Sequence, residues 1–362
     1  MSNILDYIAW RGDLPFSAAP FNEVDALILA QLSMMRWENG LGPGETAQIR
    51  DVFEPMNHPP VSVGFTPEND LRLLRLIAPS VRFGGIVLRG YERAFDERSE
   101  TQFAAVTLEL DDGTAYVSFR GTDSSLVGWK EDCNMAFARR VPAQESAQKY
   151  LEAMAHSFPG RLRVGGHSKG GNLAIYAAAS ASAEVLDRII AVYNHDGPGL
   201  SDKMNADAMY GRIRGRLYSF VPQYSIVGML LNHPDAYTVV KSNSVSIFQH
   251  DPYSWQVEGP AFVHMPGLTR ESARFDAGFR AWLGKVDDED RELLIDSLFD
   301  VLSATQASHF GPEFWQGLAR NPKTVIAAIQ DINSDQRKRI TRMLTDLGAA
   351  TLLPGEKDDE TE

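Results

Sequence analysis

The sequence predicts an α/β protein: a mainly parallel, doubly wound sheet with a helical N-terminal segment and a C-terminal helical appendage. Three observations predict it. From about residue 113 to 250, strand-like runs alternate with helical ones, the pattern of a parallel sheet wound with crossover helices. Inside that stretch, RLRVGGHSKGGNLAIYAA begins as a strand and ends as an Ala-rich helix, with only a glycine-rich turn between them. Up to about residue 82, and again over 268–348, the apolar spacing is helical.

In chain order, FNEVDALILAQLSMM is a helix with Asn22 as N-cap and Leu27, Ile28, Leu29 and Leu32 as its apolar face. NDLRLLRLIA (69–78) is a second helix, and GLGPGE and NHPP are loops. From Gly85 the period changes: GIVLRGYERAF and QFAAVTLEL read as strands, and DDG at 111–113 turns the chain into TAYVSFRG. Residues 144–158 are helical and end at Pro159-Gly160. RLRVGG is a strand, GNLAIYAAASAS a helix, RIIAVYNHDGPG a strand and loop, and GRLYSFVP a strand. AYTVVKSNSVSIFQHDP reads as a strand or hairpin, running strand-like through SVSIFQ into a loop.

Two helices follow. DDEDRELLIDSLFDVL has an acidic start and Leu294, Leu298, Val301 and Leu302 on one face. SDQRKRITRMLTDLG has Ser334 as cap, Ile340, Met343, Leu344 and Leu347 as apolar face, and Gly348 as stop. The expected division is a helical segment over 1–84 packed on the core, a core over 85–260, a helical region over 261–350 and a disordered acidic tail over 351–362.

Composition narrows the function. With 362 residues and 44% hydrophobic content, the chain can bury a sizeable core. A net charge of −13 repels nucleic acid and anionic membrane, so neither is an expected partner, but it leaves a neutral lipid or ester open as substrate. Cys133 is the single cysteine, so no intrachain disulfide is expected. MSNILDYIAWRGDLPF lacks a basic segment followed by an apolar one, and no apolar run reaches the ~18 residues of a membrane span. A cytoplasmic chain without stable membrane insertion is therefore expected. HExxH, CxxC and a dinucleotide glycine pattern are missing, and DDEDRE lacks calcium-loop spacing, so no metal or organic cofactor is expected.

The turn in GGHSKGG carries the chemistry. Gly166-His167-Ser168-Lys169-Gly170 fits G-x-S-x-G between a strand and a helix, the context of a nucleophile elbow. A Cβ two residues before or after the serine would clash where strand and helix cross, hence Gly166 and Gly170. The helix that starts at once aims its positive end at a developing oxyanion, with the Lys169 N–H as one donor. The competing readings are a glycine-rich turn without chemistry and a phosphate loop, but the order Gly-Lys-Ser/Thr is missing.

A Ser168 nucleophile needs an acid and then a histidine further along the chain. His250, in the polar loop HDPYSW, is the best-placed base, with His233 as runner-up. His195 also follows the serine, His264 lies past the predicted sheet and His309 in the helical appendage. Asp196, after the first strand beyond the nucleophile helix, is the preferred acid, with Asp235 and Asp251 as alternatives. An Asx turn before Gly197-Pro198 would explain Asp196 equally simply.

SFRGTDSSLVGWKEDCNMAF followed by GGHSKGGNLAIYAA resembles the lipase-like α/β-hydrolases, and most of all the bacterial Mbeg1-like hydrolases. The similarity covers about residues 1–260 and is most specific over 85–256; a wider relation to class 3 lipases rests on FRGT and GHSxGG. This resemblance implies an α/β-hydrolase fold with Thr122 supplying the second oxyanion N–H. It matches Trp129 and Asp132 to the family's Trp-x-x-Asp, with Asp132 bracing the oxyanion loop, and gives His167 a role in supporting the turn. Class 3 lipases place the acid after the next strand, where SFVPQYS has no carboxylate; some other lipases place it where Asp196 stands. Those lipases carry leucine after the nucleophile; Lys169 there implies a substrate less apolar than a triglyceride. The expectation is a carboxylic ester hydrolase acting through an acyl-enzyme. An acyltransferase or thioesterase with the same triad, and a binding module on a hydrolase fold, are the alternatives. QYSIVGMLLNHPDAY could wall an acyl pocket, form a lid or be a buried helix.

Overall fold

The computed structural model describes residues 2–58, 60–96, 101–123, 130–131, 135, 141–201, 204–233, 236–303 and 332–352. The chain divides into two compact units, Met1–Leu268 and Thr269–Glu362.

In the first unit, helices α1 (Ile4–Arg11), α2 (Glu23–Gln31) and α3 (Pro67–Ile77) precede the main strands, apart from the short β1 (Ala47–Gln48). Asn22 caps α2 as expected: its side chain accepts from the Val24 and Asp25 N–H groups, and Asp25 returns the bond to the Asn22 N–H. The apolar face expected of this helix is instead a full circumference, for Val24 through Gln31 are all buried. Complete burial of Leu27, Ile28 and Leu29 contributes roughly 1.5–3 kcal/mol each. The one charged side chain in that run, Asp25, is held by a bidentate contact from buried Arg82 at 2.8 and 2.6 Å.

The sheet follows the predicted course: β2 (Val87–Asp96), β3 (Thr101–Glu109), β4 (Thr114–Phe119), β5 (Arg161–His167), β6 (Ile189–His195), β7 (Leu217–Pro222) and β8 (Thr238–Val240). Among the described residues it has nine strands, in the order β1-β2-β3-β4-β5-β6-β7-β8-β9, where β9 is His264–Met265. β1 through β4 pair antiparallel, β4 through β8 pair parallel, and β9 returns antiparallel on β8. Helices α4 (Pro142–Ser157), α5 (Lys169–Ser180), α6 (Ala183–Arg188) and α7 (Ala206–Ile213) occupy the crossovers. A mainly parallel sheet with this winding, and with a strand–serine–helix corner at β5, is the α/β-hydrolase fold.

The run SVSIFQ is not strand. Ser246–His250 form a 3₁₀ turn, because Ser246 takes φ +53° and breaks the extended path six residues past β8. The turn leaves Val245, Ile247 and Phe248 exposed. Among its described residues, QYSIVGMLLNHPDAY holds the 3₁₀ turn Val227–Met229 and an isolated bridge from Asn232 to Leu200.

The second unit contains α8 (Arg270–Leu283), α9 (Asp288–Ser303) and α10 (Ser334–Leu352). Asn333, not Ser334, caps α10, accepting from the Asp335 and Gln336 N–H groups at 3.0 and 2.9 Å. Gly348 does not stop this helix. Packing overrides the glycine: Gly278 of α8 lies so close that an added Cβ would stand 2.1 Å from the Ala350 carbonyl oxygen. Met343 is buried on the expected face, while Leu344 is exposed. Of the face expected for α9, Leu294 is half-buried and the side chains of Leu298, Val301 and Leu302 lie outside the described residues, as do His309 and positions 353–362. Among the described residues, no helix is long and apolar enough to cross a membrane.

Candidate active site

Strand β5 ends on His167 and α5 begins on Lys169, so Ser168 alone makes the corner. Its backbone sits at φ +57°, ψ −132°, a conformation costing on the order of 1–3 kcal/mol for a residue with a side chain. The surroundings hold it there: the Ser168 N–H donates to the His195 carbonyl at 2.9 Å, and the Gly171 N–H donates to the Ser168 carbonyl at 2.8 Å. Gly166 and Gly170 make the crossing possible. An added Cβ on Gly166 would stand 2.3 Å from the Gly170 carbonyl carbon, and one on Gly170 would stand 2.2 Å from the Phe119 carbonyl oxygen. Ser168 itself is half-buried.

The end of β4 lies against this corner. A Cβ on Gly121 would come within 3.5 Å of Ser168 Cβ, which puts the FRGTD turn beside the serine with Thr122 buried next to it. Arg120, read only as part of a motif, anchors the turn: its guanidinium donates to the carbonyls of Ser33 at 2.7 Å and Met35 at 3.0 Å. Trp129 and Asp132 lie outside the described residues.

Asp196 follows β6 and is fully buried, at φ +50°, with its N–H donating to the Phe220 carbonyl at 2.8 Å. One carboxylate oxygen accepts from the Ser225 hydroxyl at 2.5 Å and from the Gly228 N–H at 3.2 Å. The other lies 2.6 Å from His250 Nδ1. Ser225 closes SFVPQYS, the stretch noted for lacking a carboxylate, and supplies the hydroxyl that steadies one. Asp251 turns instead to its own loop, accepting from the Tyr253 N–H at 3.1 Å; Asp235 lies outside the described residues.

His250 ends its 3₁₀ turn with its side chain 24% exposed. The preceding residue is held from two sides: Trp255 Nε1 donates to the Gln249 carbonyl at 2.9 Å, and Gln249 Oε1 accepts from the Tyr224 N–H at 2.9 Å. His167 bears on His250 more than on its own turn. Its Nε2 is 2.9 Å from the His250 carbonyl oxygen, and the two rings stand 4.6 Å apart. Desolvation, and then the neighbouring His250, hold the His167 pKa well below the ordinary value, so it stays a neutral donor.

The other histidines go elsewhere. His195 is buried among Tyr193, Phe220, Trp255 and Phe262, and burial pushes its pKa down to about 3. His233 packs edge-on against Tyr237, and His264 contacts Glu23 at 2.9 Å. The geometry therefore gathers Ser168, Thr122, Lys169, Asp196 and His250 at the C-terminal ends of β4, β5 and β6, and the loops beyond.

The Lys169 side chain does not face that space. It is buried, with Nζ 2.5 Å from Glu131 Oε2 and donating to the Gln102 carbonyl at 2.8 Å. The expectation of a less apolar substrate, drawn from this side chain, is thereby corrected: the cation points behind the elbow. Glu131 was missed. A lysine beside a buried turn demands a counter-charge, and WKED was where to look for it.

Solved structures similar to this chain include lipase II from Rhizopus niveus (14% identity, TM-score 0.34, 47% of this chain and 70% of that one). The Rhizomucor miehei lipase propeptide complex (17%, 0.32, 44% and 57%) and a triacylglycerol lipase from Penicillium expansum (12%, 0.28, 51% and 76%) are also similar. At these values the fold rests on the strand order alone. No curated protein sequence matches the chain. A family model does, over residues 77–300, a span that takes in β2 through β8, the serine corner and the Asp196–His250 contact: the chain belongs to the Mbeg1-like family.

Proposed function

We propose that the protein is a serine hydrolase that cleaves a carboxylic ester through an acyl-enzyme. The observation that carries this reading is the 2.6 Å contact between buried Asp196 and His250 Nδ1, on loops flanking the strained Ser168 corner. A carboxylate on Nδ1 fixes the tautomer that leaves Nε2 free to accept a proton, and stabilises the imidazolium once it forms. His250 takes the Ser168 proton as Oγ attacks the ester carbonyl. The N–H groups of Thr122 and Lys169 receive the oxyanion, aided by the N-terminus of α5. His250 then protonates the leaving alkoxide. Water, activated by the same histidine, releases the acid and regenerates Ser168.

An apolar acyl group is favoured by the exposed side chains of Ile247 and Phe248, which stand on the turn that ends in His250. A fluorophosphonate probe tests the reading. Wild type is expected to be labelled, Ser168→Ala not at all, and Asp196→Asn to lose ester turnover by roughly 10³–10⁴-fold with its fold intact. Labelling that persists in Ser168→Ala would move the nucleophile elsewhere.

A further inference from the structure

The residue after Ser168 presents its backbone to the site and its side chain to the interior, and that interior end is held by hydrogen bonds. Among the described residues, Lys169 Nζ contacts the Glu131 carboxylate at 2.5 Å and donates to the Gln102 carbonyl at 2.8 Å and to Gln102 Oε1 at 3.1 Å. Glu131 is bonded in turn. Its Oε2 also accepts from the Gln102 N–H at 3.0 Å, and its Oε1 from the Ala143 N–H at 3.1 Å in the first turn of α4. The two side chains are 0% and 1% exposed.

A pair buried this deeply is a poor device for stability, because desolvation offsets most of the attraction and apolar residues of similar volume do as well. What it provides is direction. The contacts join the first residue of α5, the start of β3 and the N-terminus of α4 to Glu131, which lies along the chain from Thr122. Both oxyanion donors are thereby referred to one fixed point: Lys169 directly, and Thr122 through the end of β4, which pairs with β3 from Phe119 back to Ala115.

We propose that Lys169 and Glu131 are positioning residues that hold the oxyanion donors at transition-state spacing; this rests on the reading of Ser168 as nucleophile. A shift of a fraction of an ångström in a donor weakens the developing oxyanion's hydrogen bonds and leaves ground-state binding nearly untouched. The pair therefore acts on kcat.

Wild type is first labelled with a fluorophosphonate; failure there overturns the Ser168 reading and this one with it. Lys169→Met, Glu131→Gln and the double variant Lys169→Met/Glu131→Met are then assayed on a short-chain p-nitrophenyl ester and titrated with an alkyl boronic acid. The double variant has no unpaired buried charge, so it carries the test if either single variant fails to fold. In folded variants kcat is expected to fall by at least about tenfold with KM within about twofold, and boronate affinity to fall in parallel. Labelled wild type together with a folded double variant whose kcat and boronate affinity match wild type would reduce the pair to filler. A raised KM at unchanged kcat would overturn the positioning role as well.

Discussion

Two histidines of the candidate site region differ in what surrounds them. His250 has a carboxylate on Nδ1 at 2.6 Å, whereas His195 sits among aromatic rings, and burial pushes its pKa down to about 3. The sign of its effect on stability follows. Unfolded, His195 takes up a proton below about pH 6.5, while the folded chain refuses it until about pH 3, so its contribution is lost as pH falls through that window. Asp70 works the opposite way. Burial raises its carboxyl to about 6, so the folded chain gains from protonation between that value and the ordinary carboxylate range. His195→Leu is expected to flatten the acid side of the stability curve, removing up to about 3 kcal/mol of the loss between pH 7 and 4. Thermal melts across that range check it; parallel curves for variant and wild type would contradict it. The sharp corner at Ser168 was legible from five residues of sequence, because a glycine-flanked crossing of strand and helix is a local steric solution. The direction of the Lys169 side chain was not, because it depends on what β3 and position 131 put behind the turn.

The corner between β5 and α5 is a packing problem solved by glycine. Gly170→Ala would force its methyl to within 2.2 Å of the Phe119 carbonyl oxygen. It is expected to cost about 2–3 kcal/mol and to abolish fluorophosphonate labelling by displacing β4 from the elbow. Gly211→Ala is the control: within α7 nothing stands within 4 Å of the added methyl, and a gain of about 0.5–1 kcal/mol is expected. Chemical denaturation of both variants measures the contrast, and equal effects would refute it. Elements with a local signature were readable in advance. The capping box at Asn22 marks α2, and the DDG turn joins β3 to β4. Elements decided by distant packing were not. Ser246–His250 carries a strand-like composition but pairs with no strand among the described residues, and α10 runs through Gly348 because α8 lies against its end.

Across the whole molecule, the candidate site belongs to one of the two compact units. Ser168, Thr122, Lys169, Asp196 and His250 all fall within Met1–Leu268. A chain ending at Leu268 is therefore expected to fold and to be labelled at a rate within about threefold of the full chain. Loss of labelling in a folded truncation would assign the second unit a part in the site. The first 80 residues reach that site through the loop bearing His250. Asn3 Nδ2 donates to the Tyr253 carbonyl at 2.9 Å, and the Tyr253 hydroxyl donates to buried Asp70 at 2.5 Å. Periodicity showed that this segment is helical, but contacts spanning 183 and 250 positions leave no trace in local spacing.

The course of the Lys169 side chain also bears on how the candidate site could be redesigned. A library at position 169, an obvious choice for anyone reading the motif, would vary a group on the far side of the elbow from the space beside Ser168. On the proposed hydrolase reading, it is expected to yield slower catalysts with unaltered taste for their substrates. On the same reading, the place to vary acyl preference is the turn bearing Ile247 and Phe248, which are 50% and 69% exposed.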